Sequence, residues 1–141
     1  HSAGGYLTSM IGLDKRWLEP YGIDPDTAFV ALIPYSGQVV THFERRRELG
    51  LPDTQPLVDD MAPLSYVRPD CRPMLILSGD REREMLGRYE ENAYFWRMMR
   101  VAGHPDVRIC EFDGFDHGNM PQAGHFVAVR YIREMERRMD R

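Results

Sequence analysis

Short apolar segments that alternate with helical ones are the feature that most restricts the fold of this chain. Ala28–Ile33 and Met74–Leu77 are uninterrupted apolar runs too short for a helix, whereas Val107–Phe112 alternates between apolar and polar residues. Continuous runs of this length are typical of strands buried on both faces of a parallel sheet. The alternating run is typical of a strand nearer the sheet edge.

Helical patterns separate and follow these strands. The strongest helical periodicity covers Leu86–Ala102, and further helices are predicted over Val39–Leu49 and Gln122–Arg138. Alternation of strand and helix predicts an α/β fold in which crossover helices connect parallel strands. No internal repeat or low-complexity linker interrupts the pattern, so we expect residues 1–141 to belong to a single domain.

The composition fits a globular protein and excludes several functional classes. Apolar residues make up 43% of the chain and charged residues 28%, and the net charge of -4 does not suggest nucleic-acid binding. No apolar run approaches the length of a membrane span. Cys71 and Cys110 lack metal-ligand spacing, and we expect them to be free thiols in a cytosolic protein.

The first residues of the chain match most of a nucleophile elbow. The stretch His1-Ser2-Ala3-Gly4-Gly5 is a G-x-S-x-G motif without its leading glycine, a pattern that also occurs in ordinary loops. In the motif, a serine lies on a tight strand-to-helix turn and exposes its hydroxyl. Because Tyr6–Ile11 can continue as a helix, the Ser2 hydroxyl would lie near a helix N-terminus, which favours a developing anion.

A histidine and a group of carboxylates follow Ser2 in the order that a serine hydrolase of this kind needs. His117 lies in the glycine-bounded loop Asp113–Asn119, after the last predicted strand. The carboxylate candidates follow the second strand: Asp80 comes directly after Gly79, Glu82 two residues later, and Glu84 is the third choice. Parallel strands end at one edge of the sheet, so these groups can cluster despite their separation in sequence.

Together these pieces resemble the C-terminal part of an α/β-hydrolase of the esterase/lipase-like branch. The matching stretches are His1–Gly5, Pro73–Glu82 and Gly114–His117. The layout is also similar to that of kynurenine formamidase-like members. The resemblance implies part of an α/β-hydrolase fold and a serine hydrolase that acts on small carboxylic esters and needs neither a metal nor an organic cofactor. An amidase or peptidase with the same triad, or a non-catalytic hydrolase-like binding module, are the alternatives.

The resemblance also implies roles for individual residues. Ser2 would be the nucleophile, His117 the general base, and the backbone N–H of Ala3 an oxyanion donor. In the family the acid commonly stands three residues after the glycine that ends its strand, which favours Glu82. That position is more often aspartate, so Asp80 remains a candidate.

The segment after the first predicted strand is expected to line the substrate pocket, because it leaves the sheet at the catalytic edge. Its candidate pocket residues are Tyr35, Ser36, Gln38, His42 and Phe43.

The resemblance covers nearly all of the chain but only about half of the expected domain. The family's H-G-G-type oxyanion loop and the strand that leads into the elbow both precede the elbow serine. We therefore expect residues 1–141 to be a partial domain whose partner is the missing N-terminal part of the same domain. The other expected partner is a small-molecule ester, with neither nucleic acid nor a membrane span involved. A cytoplasmic location is expected, although a signal peptide upstream of His1 would not be visible.

Overall fold

The computed structural model describes residues 1–141, the whole of the chain. It contains five α-helices and two β-strands: α1 (Ala3–Leu13), α2 (Pro25–Ala28), α3 (Phe43–Glu48), β1 (Met74–Gly79), α4 (Arg88–Val101), β2 (Val107–Phe112) and α5 (Met120–Met139). Short 3₁₀ segments lie at Lys15–Trp17, Glu19–Tyr21 and Pro63–Tyr66.

The sheet is parallel, with β1 at its centre. Strands β1 and β2 pair in register from Met74 opposite Val107 to Gly79 opposite Phe112. Every residue of β1 is buried, whereas β2 is half-buried throughout. The sequence therefore predicted both strands and the deeper burial of β1 correctly.

The first predicted strand, Ala28–Ile33, is reduced to two isolated bridges. Leu32 and Tyr35 each form a parallel bridge to β1, and Ala28 belongs to α2 instead. Pro34 explains the interruption, because it has no N–H to donate at the position where a ladder hydrogen bond to β1 would fall. The segment still runs along β1, since the carbonyl of Pro34 accepts from the N–H of Leu77 at 3.0 Å.

Helices cover both faces of β1. On one face Met74 and Ile76 pack in a cluster that includes Phe95 and Met99 of α4. On the other face Leu75 and Leu77 pack against α5, through Met120, Ala128, Tyr131 and Met135. This arrangement leaves the C-terminal ends of the parallel segments together at one edge, where the polar candidates lie.

Two helices begin later than their sequence patterns predicted. The predicted helix Val39–Leu49 starts at Phe43, because the N–H of Thr41 donates to Leu57 and the carbonyl of Val39 accepts from Leu64. Helix α4 starts at Arg88, because the preceding Gly87 has a left-handed φ of 71° that a helix cannot include.

Both cysteines are free, and burial raises the pKa of Cys71 to about 11. None of the helices combines the length and the hydropathy that crossing a lipid bilayer requires.

Candidate active site

Ser2 occupies a strained backbone conformation immediately before α1. Its φ of 53° and ψ of -117° lie in a region that non-glycine residues rarely adopt. The N–H of Ser2 donates to the carbonyl of Tyr35 at 2.8 Å, which ties the turn to the segment that runs along β1. Ala3 opens the helix, so its N–H is one of the first-turn donors without an intrahelical acceptor.

His117 is in hydrogen-bonding contact with Ser2. Its Nε2 lies 3.0 Å from the Ser2 Oγ. The loop that carries His117 follows β2 and is held by its own turn, in which the Asp116 carboxylate accepts from the N–H groups of Gly118 and Asn119 at 2.9 Å each. The loop is also tied to the end of β1, because the Asp80 N–H donates to the carbonyl of Phe115 at 2.8 Å.

Glu84 holds the other nitrogen of the imidazole. Its Oε2 lies 2.8 Å from His117 Nδ1, and its side chain is fully buried. Burial alone would raise the pKa of this carboxyl, but hydrogen bonds from His117, Ser36 and the N–H groups of Gly79 and Met85 outweigh it. The pKa of Glu84 is consequently lowered to about 2, so the carboxylate is ionised over the physiological range.

The carboxylate beside His117 is therefore neither of the two that the sequence favoured. Asp80 accepts from the N–H of Glu82 at 2.8 Å and from the N–H of Gly114 at 2.7 Å, which makes it a loop-closing residue. The Glu82 side chain is exposed to solvent. The reason is a turn in which the N–H of Glu84 donates to the carbonyl of Asp80 at 2.8 Å. This turn brings Glu84, not Glu82, back beneath Gly79 and toward the histidine.

Two predicted pocket residues, Tyr35 and Ser36, contact the Ser2–His117–Glu84 group. Tyr35 does so through its backbone carbonyl, while its hydroxyl lies 3.2 Å from Nδ1 of His125. Ser36 is completely buried, so it does not line an open pocket, and its hydroxyl contacts both Glu84 and His117.

The other three predicted pocket residues lie around α3. Gln38 and Phe43 line a cleft of about 160 Å³. The remaining residues that line it are Arg46, Arg47, Asp53, Met85, Leu86, Arg88 and Glu91. His42 caps α3, since its Nδ1 accepts from the N–H of Glu44 at 3.2 Å, and its ring stacks on Phe43. Burial lowers the pKa of His42.

His1 also lies beside the site, although no sequence pattern assigns its side chain a role. Its Nε2 lies 2.8 Å from the carbonyl oxygen of His117, and the two ring centroids are 4.7 Å apart. No three His, Cys, Asp or Glu side chains come together in a way that could hold a metal ion.

Comparison with known proteins identifies the fold. No protein-family model and no curated protein matches the chain. Among solved structures it is similar to the propionate-bound form of a thermophilic esterase, Est2, from Thermogutta terrifontis, with a TM-score of 0.70 and 21% identity over 95% of this chain and 53% of that one. The native form of that esterase gives a TM-score of 0.70 at 20% identity, covering 95% and 52%. Its form phosphoramylated by tabun gives 0.66 at 20%, covering 94% and 52%.

This likeness confirms the predicted fold class. The chain has part of an α/β-hydrolase fold, with parallel strands and crossover helices that correspond to part of the esterase structure. It spans about half the length of the solved structures it matches.

Proposed function

We propose that this chain carries the catalytic triad of a serine hydrolase of small carboxylic esters. Ser2 is the nucleophile, His117 the general base and Glu84 the acid. One observation carries the proposal: the hydrogen bonds run without a break from Ser2 Oγ to His117 Nε2 at 3.0 Å and from His117 Nδ1 to Glu84 Oε2 at 2.8 Å. Serine nucleophiles on unrelated folds are activated by the same sequence of groups.

The ionised acid determines which nitrogen of the histidine carries the proton. A carboxylate can only accept hydrogen bonds, so Nδ1 of His117 carries a proton that it donates to Glu84. The neutral imidazole then presents the lone pair of Nε2 to the Ser2 hydroxyl, which is the arrangement that general-base catalysis requires.

The reaction proceeds in two matched halves. Ser2 Oγ bonds to the acyl carbon while its proton passes to His117 Nε2, and Glu84 stabilises the imidazolium that forms. The bond between the acyl carbon and the alcohol oxygen then breaks, and Nε2 returns the proton to the leaving alkoxide. A water molecule repeats the sequence on the acyl-serine, which releases the acid and restores Ser2.

The N–H of Ala3 is the oxyanion donor in this proposal, because it follows the nucleophile and lies at the positive end of the α1 dipole. Loss of a single donor typically reduces turnover by about 10²- to 10³-fold. We assign a second donor, and the strand that leads into Ser2, to an N-terminal part of the same domain. The share of the matching esterase that the chain covers, about half, supports this assignment.

The choice of ester as the substrate class draws on the similar structures. The Thermogutta esterase is described bound to propionate and to butyrate, and phosphorylated by paraoxon. Those short carboxylates support an ester with a short acyl chain as the substrate here.

Covalent labelling tests the proposal in the full-length domain. A fluorophosphonate probe is expected to modify Ser2, and Ser2→Ala is expected to abolish both labelling and p-nitrophenyl acetate hydrolysis. Ser65→Ala is the matched control, because Ser65 is exposed and its hydroxyl donates to the carbonyl of Asp59 and not to a triad residue. Labelling that persists in Ser2→Ala would overturn the proposal. Faster cleavage of p-nitroacetanilide than of the ester would assign the triad to an amidase.

A further inference from the structure

Ser36 contacts both members of the acid–imidazole pair. Its hydroxyl donates a hydrogen bond to Oε1 of Glu84, the carboxylate oxygen that does not face the imidazole. The same Oγ lies 3.1 Å from Nδ1 of His117, within reach of the proton that Nδ1 also donates to Glu84. Ser36, His117 and Glu84 therefore form a closed ring of hydrogen bonds in which each group has one orientation.

The backbone of Ser36, like that of the nucleophile Ser2, is strained by a positive φ. Ser36 has a φ of 46°, and Ser2 and Ser36 are the two non-glycine residues with positive φ in the chain. A non-glycine residue persists in such a conformation when its surroundings force it there, and such residues cluster at functional sites. In this chain both strained serines place their Oγ within hydrogen-bonding distance of one histidine, His117.

Helix α4 supplies the groups that hold the turn in place. The buried guanidinium of Arg88 donates to the carbonyl of Ser36, and the buried amide of Asn92 donates to the carbonyl of Gly37 at 2.8 Å. Arg88 is itself held by Glu91, whose carboxylate lies 3.0 Å from its Nε. Two consecutive carbonyls of the turn are thus fixed by two side chains one helical turn apart.

We infer that Ser36 is a positioning residue that fixes the orientation of Glu84 and, through it, the tautomer of His117. The inference rests on the proposed function. The Ser36 hydroxyl and the N–H of Gly79 both donate to Oε1, so the carboxylate cannot rotate away from the imidazole without breaking hydrogen bonds in a buried site. Ser36 is completely buried and its hydroxyl contacts Glu84 and His117, so it acts on the nucleophile through these two groups.

Removal of the hydroxyl should lower turnover without changing substrate binding. Ser36→Gly removes the hydroxyl and suits the positive φ, so backbone strain does not increase. We expect kcat to fall about 10- to 100-fold with KM changed less than about twofold, as for a loss felt mainly in the transition state. Ser36→Ala keeps the Cβ and the backbone strain. Its kcat should fall by the same factor, because both variants lack the hydroxyl.

A double-mutant cycle with Glu84→Gln separates positioning from general damage to the fold. If Ser36 acts through Glu84, Ser36→Gly should reduce kcat by less than about threefold in the Glu84→Gln background. A residue that only maintains the structure would cost the same factor in both backgrounds, and that result would overturn the inference. An unchanged kcat in Ser36→Gly alone would overturn it equally.

A spectroscopic measurement keeps the test independent of turnover. Nitrogen-15 NMR of the His117 imidazole should show the proton on Nδ1 in the parent protein and a mixture of tautomers in Ser36→Gly. The same tautomer in both proteins would contradict the inference even if the enzyme had no measurable activity. Hydrolysis that survives Ser2→Ala would instead refute the proposed function, so the two failures are distinguishable.

Discussion

Gly5 and Gly37 pack backbone against backbone, and their contact joins the helix that follows Ser2 to the turn that contains Ser36. A Cβ placed on Gly37 would lie 2.5 Å from the carbonyl carbon of Gly5, and one on Gly5 would lie 3.0 Å from the Cα of Gly37. Neither position has room for a side chain. Contacts between main-chain atoms consequently fix the nucleophile and the positioning serine relative to each other. Such contacts deform less than contacts between side chains.

The first prediction compares the two glycines of the elbow. A Cβ on Gly5 would also lie 2.8 Å from the carbonyl oxygen of Tyr35, whereas one on Gly4 would meet nothing within 4 Å. We expect Gly5→Ala to lower the free energy of unfolding by about 1–3 kcal/mol through overpacking. Gly4→Ala should be neutral or raise it by up to about 1 kcal/mol, because alanine favours a helix. Urea unfolding of both variants checks the difference, and equal effects would contradict it.

The second prediction concerns the acid. Glu84→Gln should reduce kcat for p-nitrophenyl acetate about 10²- to 10⁴-fold, because the amide no longer stabilises the imidazolium and can favour the wrong tautomer of His117. Glu82→Gln is the matched control, since Glu82 carries the same side chain in the same loop but is exposed. Its kcat should stay within about twofold of the parent value. A large loss in Glu82→Gln with a small loss in Glu84→Gln would reverse the assignment.

The sequence predicted the framework of this fold because strands and helices have distinct periodicities. The unbroken run Met74–Leu77 and the alternating run Val107–Phe112 became the central and outer paired strands, and the α4 and α5 patterns became helices close to their predicted bounds. The run Ala28–Ile33 was harder, because apolarity indicates burial but does not reveal that Pro34 removes a ladder donor.

The site was predictable only where chain order and loop position were sufficient. Ser2 and His117 follow from the elbow motif and from a glycine-bounded loop, and the structure brings them together. The family resemblance favoured Glu82 by its spacing from Gly79. That prediction was wrong because residue counting does not register a turn closed by the Asp80 carbonyl. Ser36 was predicted at the right edge of the sheet but as pocket lining, since a pattern of residues does not show which hydroxyl points inward.

The third prediction uses the glycine that ends β1. A Cβ on Gly79 would lie 2.6 Å from the carbonyl oxygen of Phe115 and 3.1 Å from Oε1 of Glu84. Gly79→Ala should therefore displace both the acid and the loop that carries His117, and we expect kcat to fall at least about tenfold. Gly118→Ala is the control, because its nearest neighbour would be an Asp116 oxygen at an ordinary 3.5 Å. Comparable kcat values for the two variants would show that the close approach at Gly79 does not control the site.

The fourth prediction is the pH dependence that Glu84 gives to stability. Its pKa falls from an ordinary 4.5 to about 2 in the folded chain, because the donors around it outweigh its burial. A group with a depressed folded pKa stabilises the protein above its unfolded pKa and loses that contribution as the pH falls through the folded one. The contribution should thus be complete above pH 4.5, amount to about 3 kcal/mol at most, and disappear between pH 4.5 and 2.

Urea unfolding of the parent and of Glu84→Gln from pH 7 to 2.5 measures this contribution. The difference in the free energy of unfolding between the parent and Glu84→Gln should be constant between pH 7 and 4.5 and shrink as the pH falls below 4.5. A difference that stays constant down to pH 2.5 would mean that the Glu84 carboxylate is not stabilised by its donors.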